Sequence, residues 1–195
     1  MDQRIEELLE HIKRLENELS RELQKKEEEF FYRVRGRKVC FEKEIKREHR
    51  RLKKRLHHYL FESRLANIAT VPFIWACLPP ALVLDLLVSL YHLICFPIYN
   101  IPKVSRADYL VVDRHALRYL NLIEKINCVY CGYFNGLIAY VQEVAARTEQ
   151  YWCPIKHARK MTRLHSRYRK FIAYGDAEGF QKRLETIRKD FDDLD

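Results

Sequence analysis

Residues 66–101 form a run of 36 residues without a lysine or arginine, and Asp85 and His92 are its only acidic or histidine side chains. A stretch this long and this apolar exceeds what an ordinary surface helix carries, and it is expected to enter a bilayer. Pro79-Pro80 removes two amide donors and is expected to break the helix. That leaves an arm of about 13 residues before it and one of about 19 after it. At 1.5 Å per residue the first reaches only ~20 Å, short of a hydrocarbon core of ~30 Å. The expectation is therefore a re-entrant or shallow helical hairpin turning at Pro79-Pro80, with a single tilted span as the second choice. Positive charge flanks both ends, from Arg47 to Arg64 upstream and at Lys103, Arg106, Arg114 and Arg118 downstream. Both ends should then face the cytosol. Asp85 and His92 stand seven apart, on one helical face. At membrane depth they are candidates for function, or side chains satisfied by the hairpin's other arm.

The remaining sequence is mainly helical in pattern, and composition divides the chain into four parts: 1–29, 30–65, 66–101 and 102–195. In the first, Ile5, Leu8, Ile12, Leu15 and Leu19 alternate steps of three and four until the register fails at Glu22. This is the pattern of a short coiled coil, a seam for a homo-oligomer or a protein partner through residues 2–23, the alternative being a merely solvated helix. In the second, short alternating runs about Gly36 predict a small β-hairpin, followed by a basic helix over 42–65. The chain of 195 residues carries a formal charge of +9, so an anionic partner is expected. The basic helix stands directly before the apolar run, which points to anionic membrane lipids. No recognition module supports nucleic acid as that partner.

The fourth part begins with a strand-like run at 109–112. Asp113 is the expected cap of a helix over 114–127, with His115 in its first turn. A basic helix lined by Met161, Leu164, Tyr168 and Phe171 is expected next. Gly175-Asp176 breaks the chain before a last helix striped by Phe180, Leu184, Ile187 and Phe191. Between these lies the motif richest in chemistry, Cys128-Val-Tyr-Cys131, then 21 residues, then Cys153-Pro-Ile-Lys-His157. The chain opens on a charged helix rather than a secretory signal, so its cysteines should meet a reducing cytosol. Three thiolates and an imidazole suit zinc, with iron as the other metal. Cys128, Cys131, Cys153 and His157 are the predicted ligands.

Geometry attaches a condition to that site. A straight helix over 137–150 separates its ends by ~21 Å, whereas zinc ligands stand within ~2.3 Å of the metal. Either residues 131–136 fold back, with Asn135-Gly136 as the turn, or the residues belong to two places, one joining Asp113 and His115 to Glu149, Cys153 and His157. Cys153-Pro154 also reads as a helix start that would activate the thiol. Glu143 and Arg147, four apart, read as an ordinary ion pair. No phosphate loop, catalytic triad or HExxH motif is present, so no catalytic residue is assigned.

Over LVLDLLVSLYHLICFPIYNIP, ADYLVVDRHALRYLNLIEKINCVYC and NGLIAYVQEVAARTEQYWCPIKHA, the chain resembles a family of small uncharacterised proteins of Gram-negative bacteria regarded as membrane-associated. The resemblance covers all but the first part of the chain. It implies bacterial origin and membrane association, and Cys128, Cys131, Cys153 and His157 stand where its pattern has them. Glutamine is usual there at the position of His92, which weakens any essential role for that histidine. The expected protein is mainly α: a membrane-associated helical hairpin, a small helical metal-binding domain and an N-terminal coiled-coil-like helix. Its expected place is the cytoplasmic face of the inner membrane. Its expected role is a zinc-stabilised adaptor or scaffold, the alternative being a metal- or thiol-dependent redox enzyme.

Overall fold

The computed structural model describes residues 3–29, 32–35, 38–55, 58, 61 and 64–194. The fold is mainly helical. Its helices are α1 (Gln3–Glu29), α2 (Lys43–Arg51), α3 (Leu65–Ala76), α4 (Leu78–Tyr99), α5 (Leu122–Trp152) and α6 (Ala177–Ile187), with one hairpin of β1 (Tyr32–Arg35) and β2 (Lys38–Phe41). By its contacts the chain forms two compact units, Met1–Glu62 with Asp113–Cys128, and Ser63–Val112 with Val129–Asp195. These follow other lines than the four parts read from composition, because the apolar run packs with the C-terminal segment that follows it.

In the first unit, α1 keeps Leu8, Ile12, Leu15 and Leu19 exposed. The expected hairpin forms with Val34 opposite Val39 and Tyr32 opposite Phe41; its turn at Gly36-Arg37 lies outside the described residues. A line of edge-on aromatic contacts runs from Phe41 through His49 to Tyr119, tying hairpin, α2 and the 117–119 segment together. The basic helix expected over 42–65 is interrupted after Arg51, and among the described residues beyond it His58 and Phe61 are helical. Arg50, Arg51, Lys53, Lys54 and Arg55 would crowd like charges onto successive turns, which weakens helix propagation. Leu56 and Leu60, two residues of its expected apolar face, lie outside the described residues.

Three further expectations are corrected. The helix expected at Asp113 is only a 3-10 turn, Arg114–Ala116, and Asp113 makes no side-chain cap. The long helix instead starts after Asn121, whose Oδ1 accepts from the Glu124 amide while a Glu124 carboxylate oxygen accepts from the Asn121 amide. This reciprocal capping box is legible in Asn121-Leu-Ile-Glu124. The run 109–112 pairs with no strand. It crosses α5 so closely that a Cβ on Gly136 would sit 2.6 Å from the Tyr109 carbonyl oxygen. Gly136 therefore serves packing, not a turn, and Asn135 stays helical by donating to the Cys131 carbonyl. Finally, the expected basic helix after His157 is irregular chain, held by an isolated parallel bridge between Ile155 and Ile172. The last helix does form, with Asp176 accepting from the Gly179 amide and Gly175 taking a positive φ of 84° before it.

The expected hairpin turn at Pro79-Pro80 is not made. A single helical residue, Cys77, links α3 to α4, so the chain continues in its direction instead of reversing. Both prolines fall in the first turn of α4, where amides have no intrahelical acceptor and the fixed φ costs nothing. Asn100 then adopts the left-handed conformation that ends α4, and the Ile101 amide reaches back to the Phe96 carbonyl. Such a cap suits asparagine.

Candidate membrane interface

Leu65–Tyr99 is long and apolar enough to cross a membrane. What distinguishes α4 is how its residues divide between two sides. Ala81 and Phe96 are buried in a core with Ile101, Val104, Leu137, Tyr140, Val144 and Phe191. On the opposite side Leu86, Leu93 and Ile98 are 68%, 60% and 68% exposed. These leucines have no protein to cover them among the described residues, although burial of each side chain would favour folding by ~2 kcal/mol.

The inward side explains the two ionisable residues of the run. Asp85 accepts from Arg106 at 2.6 Å and from the Tyr133 hydroxyl at 2.9 Å, with Ser89 beside it. Its side chain is 13% exposed. His92 Nε2 accepts from the Val104 amide at 2.9 Å, and the ring packs against Phe96 and Tyr140. Both are satisfied, as the structural alternative expected, but by the segment after α4 and by α5 instead of a second hairpin arm. Burial pushes the Tyr133 hydroxyl above its ordinary value, and its bond to the Asp85 carboxylate adds to the shift.

Helices α4 and α5 run in the same direction. Tyr133 meets Asp85, Tyr140 meets His92, Thr148 bonds to Tyr91 at 3.1 Å, and Tyr151 stacks on Tyr99 at 5.0 Å. Residues 101–110 run back along both, since Val104 reaches His92, Arg106 reaches Asp85 and Tyr109 lies on Gly136. The pair Glu143–Arg147 is buried at 2.8 Å, and Arg147 also donates to the Pro102 carbonyl while Ser166 donates to Glu143. At the far end of α4 the aromatic rings of Tyr99, Tyr151 and Trp152 gather, with Trp152 half exposed. Aromatic rings of this amphipathic kind favour membrane interfaces.

The four predicted metal ligands are not brought together. Cys128 and Cys131 are one turn apart on α5, and that helix continues without a break to Trp152. The fold-back the site required does not occur, so about 21 residues of helix put Cys131 ~32 Å from the end that Cys153 follows. Cys153 and His157 lie in extended or irregular chain beyond α5, with the His157 ring stacked on Tyr168. Cys153 follows the carbonyl end of a helix, so the helix-start argument for an activated thiol does not apply. Of the residues in the second arrangement, Asp113 and His115 belong to the other compact unit, and Glu149 lies 3.1 Å from His165. Burial lowers the His165 pKa, against Glu149 and Glu143, which favour its protonated form. Among the described residues no group of three or more His, Cys, Asp or Glu is placed to hold a metal ion.

Sequence reasoning missed Arg167, the largest fully buried side chain among the described residues. Its guanidinium donates to both Asp193 carboxylate oxygens at 2.9 Å, to the Asp190 carbonyl and to Gln150. Gln150, itself fully buried, donates in turn to the Ile187 and Asp190 carbonyls. Compared with protein-family models, curated proteins and solved structures, the chain has no match.

Proposed function

We propose that the chain is a membrane-associated adaptor or scaffold on the cytoplasmic face of the bacterial inner membrane. The observation that carries this is the outward side of α4, an apolar surface on a helix whose Asp85 and His92 are both turned inward and partnered. Contiguous exposed apolar residues mark interaction surfaces, and a surface of leucine and isoleucine fits hydrocarbon. Lys156, Arg159, Lys160 and Arg163 follow α5 and have no ion-pair partner among the described residues. They supply the charge for anionic headgroups. The exposed stripe Leu8, Ile12, Leu15 and Leu19 on α1 is a seam for a second copy or another protein. The redox-enzyme alternative would rest on Cys128 and Cys131, one turn apart on α5, without Cys153 and His157, which lie beyond the far end of that helix.

Fractionation of cells expressing the full chain tests the reading. The protein should sediment with inner membranes, resist release by high salt, and be digested by protease in inverted vesicles but not in right-side-out ones. Recovery in the soluble fraction at low salt overturns it.

A further inference from the structure

We infer that α4 lies along the membrane surface, with its outward side sunk into one leaflet, and does not cross the bilayer. The inference rests on the membrane association proposed above and adds the orientation and the part of the lipid contacted. At 22 residues, α4 is ~33 Å long, enough by length alone to cross. Its surroundings decide otherwise.

Looking down its axis, Leu82, Leu86, Leu90, Leu93, Ile94 and Ile98 fall on one side, all half exposed or more. Asp85, Ser89 and His92 fall on the other, toward the protein. The side toward the protein is not sealed by apolar chain. Residues 101–110 run back along the length of α4 in mostly irregular backbone, with a single helical turn at Arg106–Tyr109. They carry Lys103, Arg106 and Asp108 exposed to solvent. The Arg106 side chain is 47% exposed and bonded to Asp85, in the second turn of α4. A crossing α4 would take these charges and this backbone into hydrocarbon, where irregular backbone exposed to lipid does not occur. An α4 lying flat meets no such conflict: leucines face lipid, and the 101–110 segment stays with water. The helix then behaves as an interfacial amphipathic helix whose polar side is supplied by packed protein in place of its own charged residues. Trp152 and Tyr99 at one end are suited to the headgroup level, and the basic chain from Lys156 to Arg163 supplies charge complementary to acidic lipid.

The test places a fluorescent unnatural amino acid at Leu82, Leu90 or Ile98 of the full chain, one position at a time. Each protein is bound to vesicles of phosphatidylethanolamine and phosphatidylglycerol containing quenchers fixed at graded depths. A flat helix keeps all three positions in one leaflet, differing by only ~5 Å because each eight-residue step turns the helix by ~80°. A crossing helix spreads them over ~24 Å, eight residues per step at 1.5 Å each, and a spread beyond about 12 Å overturns the inference while leaving membrane association intact. Vesicles that float without the protein overturn both. Flotation with no quenching at any depth means that protein covers this side, and it overturns the inference alone.

Discussion

The outward side of α4 and the pocket around Arg167 invert the usual rule in opposite senses. The first leaves leucines outside, and the second puts an arginine inside, 1% exposed. The difference lies in what each group can find within the chain. Arg167 meets two carboxylate oxygens, a backbone carbonyl and the Gln150 amide oxygen, so its charge and donors are matched in place. Burial of a charge is tolerable on those terms. The leucines of α4 find nothing apolar opposite them among the described residues, so their burial must come from outside the chain. A side chain's exposure here reports the partners available to it more than its own polarity.

Four variants would break or sharpen that contrast, and a fifth serves as its control. Replacing Leu86, Leu90 and Ile94 together by glutamate should abolish binding to anionic vesicles in flotation, since three lost burials amount to ~6 kcal/mol. Thermal melting by circular dichroism should change little, because these side chains touch no core. If melting collapses and flotation persists, the two regions have been assigned the wrong way round. Arg167→Met should do the reverse. It leaves the buried Gln150 amide oxygen without its donor and takes from Asp193 its bidentate cation, Lys170 remaining, and should cost about 3 kcal/mol in chemical unfolding while leaving flotation unchanged.

A smaller effect belongs to Gly136→Ala. The added methyl meets the Tyr109 carbonyl oxygen at 2.6 Å, and such overpacking costs about 1–3 kcal/mol. Wild-type stability here would mean that the 101–110 segment is not tied to α5. Asp193→Asn should cost about 1–2 kcal/mol near neutral pH. Burial pushes the Asp193 pKa upward, but bonds from Arg167 and Lys170 outweigh it and hold the carboxyl well below its ordinary range. A depressed folded-state pKa gives stability that is complete above the unfolded value, ~3.9, and is lost as pH falls toward the folded one. The wild type should therefore lose stability more steeply than the variant below about pH 4. Parallel acid profiles would remove Asp193 from the pocket's account. The smallest change is expected for Cys131→Ser with Cys153→Ser, at most ~0.5 kcal/mol, as for surface substitutions. A large loss in the variant, with added zinc stabilising the wild type and not the variant, would revive a metal site.

Much of the local structure was legible. The 32–41 hairpin, the break at Gly175-Asp176 with the last helix after it, and the stripe on α1 follow from turn residues, alternation and spacing. Two departures share one cause. At Pro79-Pro80 and Asn135-Gly136, register and long-range packing set the role, against the local signal. Pro79-Pro80 reads as a break until its register within α4 is known, because a proline disrupts a helix only after the first turn. Asn135-Gly136 reads as a turn, yet Gly136 is there to admit the chain at Tyr109. The Asn121–Glu124 capping box was available in the sequence and would have placed the start of α5 correctly.

By itself the sequence determined that the chain is mainly helical and that residues 66–101 carry more apolar surface than so small a protein can hide. Those are properties of composition and period, and they hold whichever way the helices pack. Only the tertiary structure decided which side of α4 is left over, that Asp85 and His92 turn inward to Arg106, Tyr133 and Val104, and that 31 unbroken residues of α5 keep the cysteine motifs apart. Spacing along a chain fixes a distance only once the backbone between two residues is known. For the cysteines that backbone is a rigid rod, and for α4 it is a returning segment that brings water along one flank.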